Sequence, residues 1–145
     1  MTLTDTGPLV ALLDKRQHLH LNCRDVLVKA SLPLITTWPC FTEAMYFAQR
    51  QGGRQFQERL WALIEDGLLL ISHMEFTADT ERASNYFDRI RELMRQYSDF
   101  PMDLADASLV ATAERRRLHQ IFTLDKRDFS IYRMRDGSTF EIIPD

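Results

Sequence analysis

The sequence is poor in the residues that define several protein classes. It has only two cysteines, five glycines and five prolines in 145 residues, which excludes a disulfide scaffold, a Cys-rich zinc site and a collagen-like chain. It has no apolar run approaching the roughly 18 residues that a membrane span requires. The N-terminus has no basic leader and meets an acid at Asp5. We therefore expect a cytoplasmic protein that does not act at a membrane, with Cys23 and Cys40 as reduced core thiols.

The composition is that of one globular domain. Hydrophobic residues make up 45% of the chain and charged residues 27%, and neither repeats nor linkers divide it, so we expect residues 1–145 to form a single domain. The net charge of -3 argues against a protein that coats nucleic acid non-specifically. The charge is uneven, however, because the stretch from Ala111 to Arg135 has seven cations and three acids, a local net of +4.

Short apolar segments alternate with amphipathic ones. Five of them are predicted strands: Met1–Thr4, Leu34–Thr37, Gly67–Ser72, Gln120–Leu124 and Thr139–Ile143. Their apolar residues are nearly continuous, which is typical of a sheet covered on both faces. Strands that alternate with helices imply parallel crossovers. The predicted fold class is therefore α/β, a three-layer α/β/α sandwich with a mostly parallel central sheet.

Two regions carry clear helical signals. An amphipathic stripe with a period near 3.6 runs from Phe76 to Tyr97. After the second strand, one helix is predicted to open at Pro39, and a second carries the apolar stripe that includes Phe56 and Leu60. The pair Gly52-Gly53 is predicted to break the chain between these two helices.

Acidic residues recur where strands end. Asp5 and Asp125 directly follow predicted strands, and Glu43 lies early in the helix after the second strand. Asp103 and Asp106 are spaced by three, which places both carboxylates on one side of a first helical turn. Open parallel sheets bind ligands outside the carboxyl ends of their strands. We therefore expect these acids to share one edge of the sheet.

Each acid also has a structural interpretation when it is taken alone. Asp103 could be an N-cap, Asp106 could favour the helix dipole, and Asp5 and Asp125 could close turns. Glu43 could be a solvated helix residue. Together, however, they would repel one another by a few kcal/mol unless a proton or a cation neutralised them. Carboxylate oxygens are hard ligands, and they select Mg²⁺ or Mn²⁺.

Four motifs in order resemble those of the PIN-domain ribonucleases, and most closely the VapC-type toxins of toxin–antitoxin pairs. The opening Asp5-Thr6-Gly7-Pro8-Leu9 is similar to the family's first acid with its following Ser or Thr, and Thr42-Glu43 falls at the second acid. Asp106 to Ala113 is similar to the third-acid helix, and Thr123-Leu124-Asp125 to the Thr-x-Asp segment. The resemblance covers nearly the whole chain.

The resemblance implies a Mg²⁺- or Mn²⁺-dependent endoribonuclease that forms a homodimer and is inhibited by a small antitoxin protein. It implies catalytic roles, as direct or water-mediated metal ligands, for four acids: Asp5, Glu43, Asp106 and Asp125. Asp103 is expected to be an auxiliary metal ligand. Thr6 and Thr123 are expected to position water or to orient neighbouring carboxylates, unless their hydroxyls simply bond to the backbone.

The local excess of cations has a predicted role on this interpretation. Five of them are expected to contact the RNA backbone: Arg115, Arg116, Arg117, Lys126 and Arg127. A different functional class also stays open. The chain could be a catalytically silent PIN-like interaction module whose acidic cleft is occupied by a protein partner, and a metal-dependent RNA cleavage assay would distinguish the two.

Overall fold

A five-stranded parallel sheet forms the centre of the protein, seen in a computed structural model that describes residues 1–72 and 80–145, with side chains described for 1–72 and 85–145. The strands are β1 (Thr2–Thr4), β2 (Leu34–Thr36), β3 (Leu69–Ile71), β4 (Gln120–Phe122) and β5 (Glu141–Ile143). Their order across the sheet is β3-β2-β1-β4-β5. Each predicted strand is confirmed, and so is the parallel α/β fold class.

The order in which strands are added to the sheet changes direction at β1, although all five strands are parallel. From β1 the chain first adds β2 and β3 on one side, then returns to add β4 and β5 on the other. Leu3 of β1 pairs with Ile35 of β2 and with Ile121 of β4. Helical connections leave in opposite directions at such a point and open a crevice outside the carboxyl ends of the strands. The sheet order therefore places the ends of β1, β2 and β4 around one crevice.

Six helices occur in the described residues: α1 (Thr6–Leu13), α2 (His20–Lys29), α3 (Trp38–Glu65), α4 (Thr80–Gln96), α5 (Leu104–Arg116) and α6 (Lys126–Ile131). The predicted break in the third is confirmed, because Gly53 has non-helical dihedral angles of φ 64° and ψ -153°. Glycine adopts this conformation at little cost, whereas other residues rarely do. The amphipathic stripe is confirmed as α4, although its predicted start at Phe76 lies outside the described residues.

Two apolar cores lie on opposite faces of the sheet. Leu3 and Ile121 point to the core that α4 and α5 cover, whereas the neighbouring Phe122 packs in the core formed with α1 and α3. Successive strand residues face opposite sides, so β2 and β4 each contribute to both cores, Ile35 and Ile121 to the first and Leu34 and Phe122 to the second. The three-layer arrangement is confirmed, and the expectation that Cys23 and Cys40 are buried free thiols is confirmed as well. No helix in the described ranges has the length and apolar character to cross a bilayer.

Small residues let α5 approach the sheet closely. Ala107, Ala111 and Ala113 are buried to within 1% of complete. The hydroxyl of Ser108 on the same helix lies 2.7 Å from that of Thr37, which directly follows β2. This contact fixes the N-terminal turn of α5 beside the carboxyl end of the sheet, and it thereby sets the position of Asp106.

Candidate active site

Six carboxylates line one cleft at the carboxyl ends of the strands. The cleft has a volume of about 450 Å³. Its acidic residues are Asp5, Glu43, Asp103, Asp106, Asp125 and Asp128. The structure thus brings together every acid that the sequence placed at the site. It adds Asp128, whose spacing of three from Asp125 repeats that of Asp103 and Asp106 and is the signal that could have found it.

Asp5 is held by two donors at the end of β1. One of its oxygens accepts a hydrogen bond from the backbone N–H of Thr6 at 2.6 Å, and the other accepts one from the Thr123 hydroxyl at 2.8 Å. Burial raises the pKa of Asp5, these two hydrogen bonds lower it, and the charges of Asp103 and Asp125 raise it further. The Asp5 carboxylate is therefore fixed in place but costly to ionise.

The two auxiliary threonines have different surroundings. The Thr123 hydroxyl links Asp5 to the next acid, because it also accepts a hydrogen bond from the backbone N–H of Asp125 at 3.0 Å. The Thr6 hydroxyl instead donates to the carbonyl of Cys40 at 3.2 Å, so Thr6 contacts Asp5 through its backbone N–H. The geometry thus gives a carboxylate-orienting contact to Thr123 and a backbone-bonded hydroxyl to Thr6.

Asp106 meets a tyrosine that the sequence did not place at the site. Its Oδ2 accepts a hydrogen bond from the Tyr132 hydroxyl at 2.8 Å. Tyr132 is fully buried, and its ring packs edge-on against Phe129 and Tyr97. Burial, followed by the charge of Asp103, raises the pKa of Asp106 to about 7, although the hydrogen bond from Tyr132 lowers it. No spacing signal links two residues 26 apart in the chain, so this contact could not be predicted.

Two more of the cleft acids are helix caps, as Asp5 is for α1. Asp103 caps α5 by accepting from the backbone N–H of Asp106 at 2.8 Å, and Asp125 caps α6 by accepting from that of Asp128 at 3.2 Å. Each cap uses one oxygen of its carboxylate. Burial, followed by the charge of Asp125, raises the pKa of Asp128. The N-cap interpretation of Asp103 is therefore correct, whereas Asp125 caps a helix rather than simply closing a turn. Neither role removes the residue from the cleft.

The donor chemistry of the cleft fits a hard divalent cation. Burial raises the pKa of Glu43, and the charges of Asp103 and Asp5 raise it further, so like charges act on one another across the cleft. Within the described ranges, no three Asp, Glu, His or Cys side chains already converge as a complete ligand group. Mg²⁺ commonly uses only one or two carboxylates and keeps several waters, so acids spread around a cleft suit it. A hard divalent cation such as Mg²⁺ or Mn²⁺ therefore fits these carboxylates.

The predicted RNA-contacting cations divide into two groups. Lys126 and Arg127 are exposed at the start of α6, directly after Asp125, and the Arg127 guanidinium lies 5.2 Å from the centre of the Phe100 ring. Arg115, Arg116 and Arg117 are at the C-terminal end of α5, about 14 Å along the helix axis from Asp106. The structure does not bring this second group to the cleft. RNA bound in the cleft would have to extend beyond it to contact these three arginines.

The cleft also has an end without carboxylates, which was not predicted from the sequence. Phe47 and Gln51 of α3 line it on one side, and Gln17 and His18 line it on the other. The one available signal was their spacing, because Glu43, Phe47 and Gln51 recur at intervals of four residues and so share a helix face.

Comparisons with known proteins agree on one family. A model described as the PIN domain matches residues 2–135. Among curated proteins, ribonuclease VapC26 of Mycobacterium tuberculosis is 25% identical in an alignment of 150 positions, which covers 98% of this chain and 99% of that protein. Among solved structures, M. tuberculosis VapC20, described as a sarcin-ricin loop cleaving toxin, has a TM-score of 0.74 at 14% identity, covering 88% of this chain and 92% of that one. A toxin–antitoxin complex from Klebsiella pneumoniae has a TM-score of 0.66 at 20% identity, covering 90% and 92%.

Proposed function

Because the chain belongs to the PIN domain family, we propose that it is a divalent-metal-dependent endoribonuclease that hydrolyses RNA phosphodiester bonds. The observation that carries this proposal is the presence of six carboxylates along one cleft at the carboxyl ends of the strands. The similarity to a ribonuclease over almost the full length of both chains supports RNA as the substrate.

Five of the cleft acids have a role in holding the cation on this proposal. Asp5, Glu43, Asp106 and Asp125 hold it directly or through water, and Asp103 assists from the cap of α5. When bound, Mg²⁺ or Mn²⁺ supplies a Lewis acid for the phosphodiester and activates water for in-line attack. This role explains why the chain places so many acids in one cleft, because a site without a cation would only bear the cost of their repulsion.

Hydroxyl groups keep the carboxylates in position. Thr123 donates to Asp5 at 2.8 Å, and Tyr132 donates to Asp106 at the same distance. Both hydroxyl residues are completely buried. The bond from Tyr132 leaves the other oxygen of Asp106 for another partner. The other oxygen of Asp5, by contrast, also accepts from the backbone N–H of Thr6. Each hydroxyl bond favours the ionised form that a cation requires.

The relatives also support a proposal about the biological setting. We propose that the protein is the toxin of a toxin–antitoxin pair, that residues 1–145 act as a single PIN-like nuclease domain, and that it works in the cytoplasm as a homodimer. A small antitoxin protein is its expected partner. The structural relative from K. pneumoniae, which is a toxin–antitoxin complex, supports this setting.

A catalytically silent interaction module is the less favoured alternative. Such a module would need only a surface that complements its partner. It would have no use for a buried Asp5 and an Asp106 whose pKa is raised to about 7, both held by dedicated hydroxyl donors. Costly buried acids with assigned orienting residues are typical of functional sites.

The test is RNA cleavage in Mg²⁺ or Mn²⁺, with a chelator arm, for the wild type and three variants. Asp5→Asn and Asp106→Asn should each cut the rate by orders of magnitude, because a ligand charge is lost while the side-chain shape is kept. Asp88→Asn, which changes an exposed acid outside the cleft on α4, should cleave as the wild type does. Cleavage that survives the chelator, or that is unchanged in both cleft variants, would contradict the proposal.

A further inference from the structure

Beyond Glu43, the wall of the cleft changes from acidic to aromatic and amide side chains. Glu43, Phe47 and Gln51 lie on one face of α3, and all three line the cleft. Phe47 lies about 6 Å further along the helix axis than Glu43, and Gln51 about 12 Å further. The facing wall consists of Gln17 and His18, from the segment between α1 and α2. The cleft therefore has an acidic end and a neutral end.

The neutral end is poor in the cations that bind phosphate. No Lys or Arg is among the described residues that line the cleft. Arg16 contacts the edge of the neutral end, where it donates to the backbone carbonyl of Gln51 at 3.3 Å, but its guanidinium is paired with Asp14. The neutral end offers an aromatic ring instead, because Phe47 is 38% exposed. The ring of Tyr46 packs edge-on against it with centres 5.5 Å apart. Exposed aromatic rings are the surfaces on which unpaired bases stack, since every base has a π-face.

The amides at this end add hydrogen-bonding capacity. The Gln17 amide nitrogen donates to the Gln51 side-chain oxygen at 3.5 Å, which is a long and weak bond. Within the described part of the chain, the Gln51 amide nitrogen and the Gln17 side-chain oxygen have no hydrogen-bond partner. A donor and an acceptor thus stand beside an aromatic ring, which is the combination that reads the edge of a splayed-out base.

We propose that the neutral end binds a nucleobase next to the scissile phosphate, stacked on Phe47 and hydrogen-bonded by Gln51 and Gln17, and that it sets the base preference of cleavage. This inference rests on the proposed function, because the acidic end must hold the scissile phosphate. A phosphate held beside Glu43 places a flanking nucleoside along α3 toward Phe47. The aromatic and amide side chains of this wall suit the uncharged base rather than the phosphate of the nucleotide.

The experiment is cleavage of a single-stranded RNA library that is randomised around the cut site, with each product sequenced. Phe47→Leu keeps an apolar side chain but loses the stacking face, so KM should rise about tenfold with kcat little changed, and the base preference should flatten. Phe47→Trp should restore both. Gln51→Ala should flatten the preference. Phe87→Leu is the matched control, because it removes an exposed ring on α4 that neither lines the cleft nor contacts Phe47, and it should retain the wild-type profile.

A binding assay separates this inference from the proposed function. Fluorescent RNA oligomers of each single base are titrated with the wild type, Phe47→Leu and Phe87→Leu in Ca²⁺. If the wild type cleaves no RNA, the endoribonuclease proposal fails, whereas a base preference in binding that Phe47→Leu removes still supports the base site. If the wild type cleaves RNA and Phe47→Leu matches Phe87→Leu in profile and affinity, the base site is wrong. The same match combined with weaker binding of the antitoxin by Phe47→Leu would also overturn it, and would assign the neutral end to the protein partner.

Discussion

Neutralising Asp106 should stabilise the metal-free protein. Its pKa of about 7 lies well above the ordinary value of 3.8. Below about pH 4 the carboxyl is protonated in both the folded and the unfolded protein, so it contributes no difference in stability. Between about pH 4 and pH 7 the folded protein retains a proton that the unfolded chain has lost. Stability therefore falls as the pH rises through this window and stays at its lowest value above pH 7.

The size of this effect follows from the same two values. A difference of about 3 in pKa corresponds to at most about 4 kcal/mol. Because the carboxylate is only partly buried, screening by solvent reduces this to about 2 kcal/mol. The substitution Asp106→Asn keeps an acceptor for the Tyr132 hydroxyl while removing the charge. We expect it to raise the melting temperature of the metal-free protein by about 4 to 8 °C at pH 8 and by almost nothing at pH 4.

The assay is a melting scan with chelator and with Mg²⁺ or Mn²⁺, at pH 4 and at pH 8. The cation should stabilise the wild type more than Asp106→Asn at pH 8, because binding to the native state adds to its stability. Asp88→Asn serves as the matched control and should behave as the wild type does in all four conditions. If Asp106→Asn melts lower without metal and gains as much from the cation as the wild type, Asp106 is a structural residue and the proposed metal site is wrong.

Three further predictions concern residues in the cleft or near it. Tyr132→Phe removes the donor to Asp106 but keeps the packed ring, so cleavage should fall about tenfold and the melting temperature should fall by a few degrees, because a hydrogen bond to a charged group contributes about 1.5 to 3 kcal/mol; an unchanged rate would remove Tyr132 from the site. Alanine at Lys126 and Arg127 should lower the salt dependence of RNA binding by about one phosphate contact per residue, measured by titration at several salt concentrations. Alanine at residues 115–117 should lower the salt dependence of binding only for RNA long enough to span about 14 Å from the cleft. Equal salt slopes for the wild type and this variant on long RNA would show that RNA does not contact these arginines.

The predictions that succeeded rest on local signals. Apolar runs ended by Asp5 and Asp125 marked both the strands and their carboxyl ends, and a parallel sheet must bring those ends to one edge. The glycine pair marked the break in α3 because the conformation of Gly53 suits few other residues. In each case the residue type and its immediate neighbours carry the physical cause, so the sequence contains the information.

The features that were missed depend on contacts distant in sequence or on weak local patterns. The helix α2 buries only His20 and Cys23, and its N-cap, Leu19, makes no side-chain cap hydrogen bond, so it has neither a strong apolar stripe nor a capping signal. The contact between Tyr132 and Asp106 joins two elements that only the folded sheet brings together. The separation of residues 115–117 from the cleft was overlooked for another reason. It follows from the rise of a helix, about 1.5 Å per residue, once the helix is known to begin at Leu104.

The paired acids show why the structural and functional interpretations of a residue need not compete. Asp103 and Asp125 each cap a helix with one oxygen, and each cap binds the backbone N–H of a second cleft acid three residues later. The cap therefore fixes the first turn that carries Asp106 or Asp128, and the positive end of the helix dipole faces a group of negative charges. Because the same backbone geometry both stabilises the helix and orients the acids, an alanine at Asp103 should cost stability and activity together, whereas asparagine, which caps equally well, should cost activity alone.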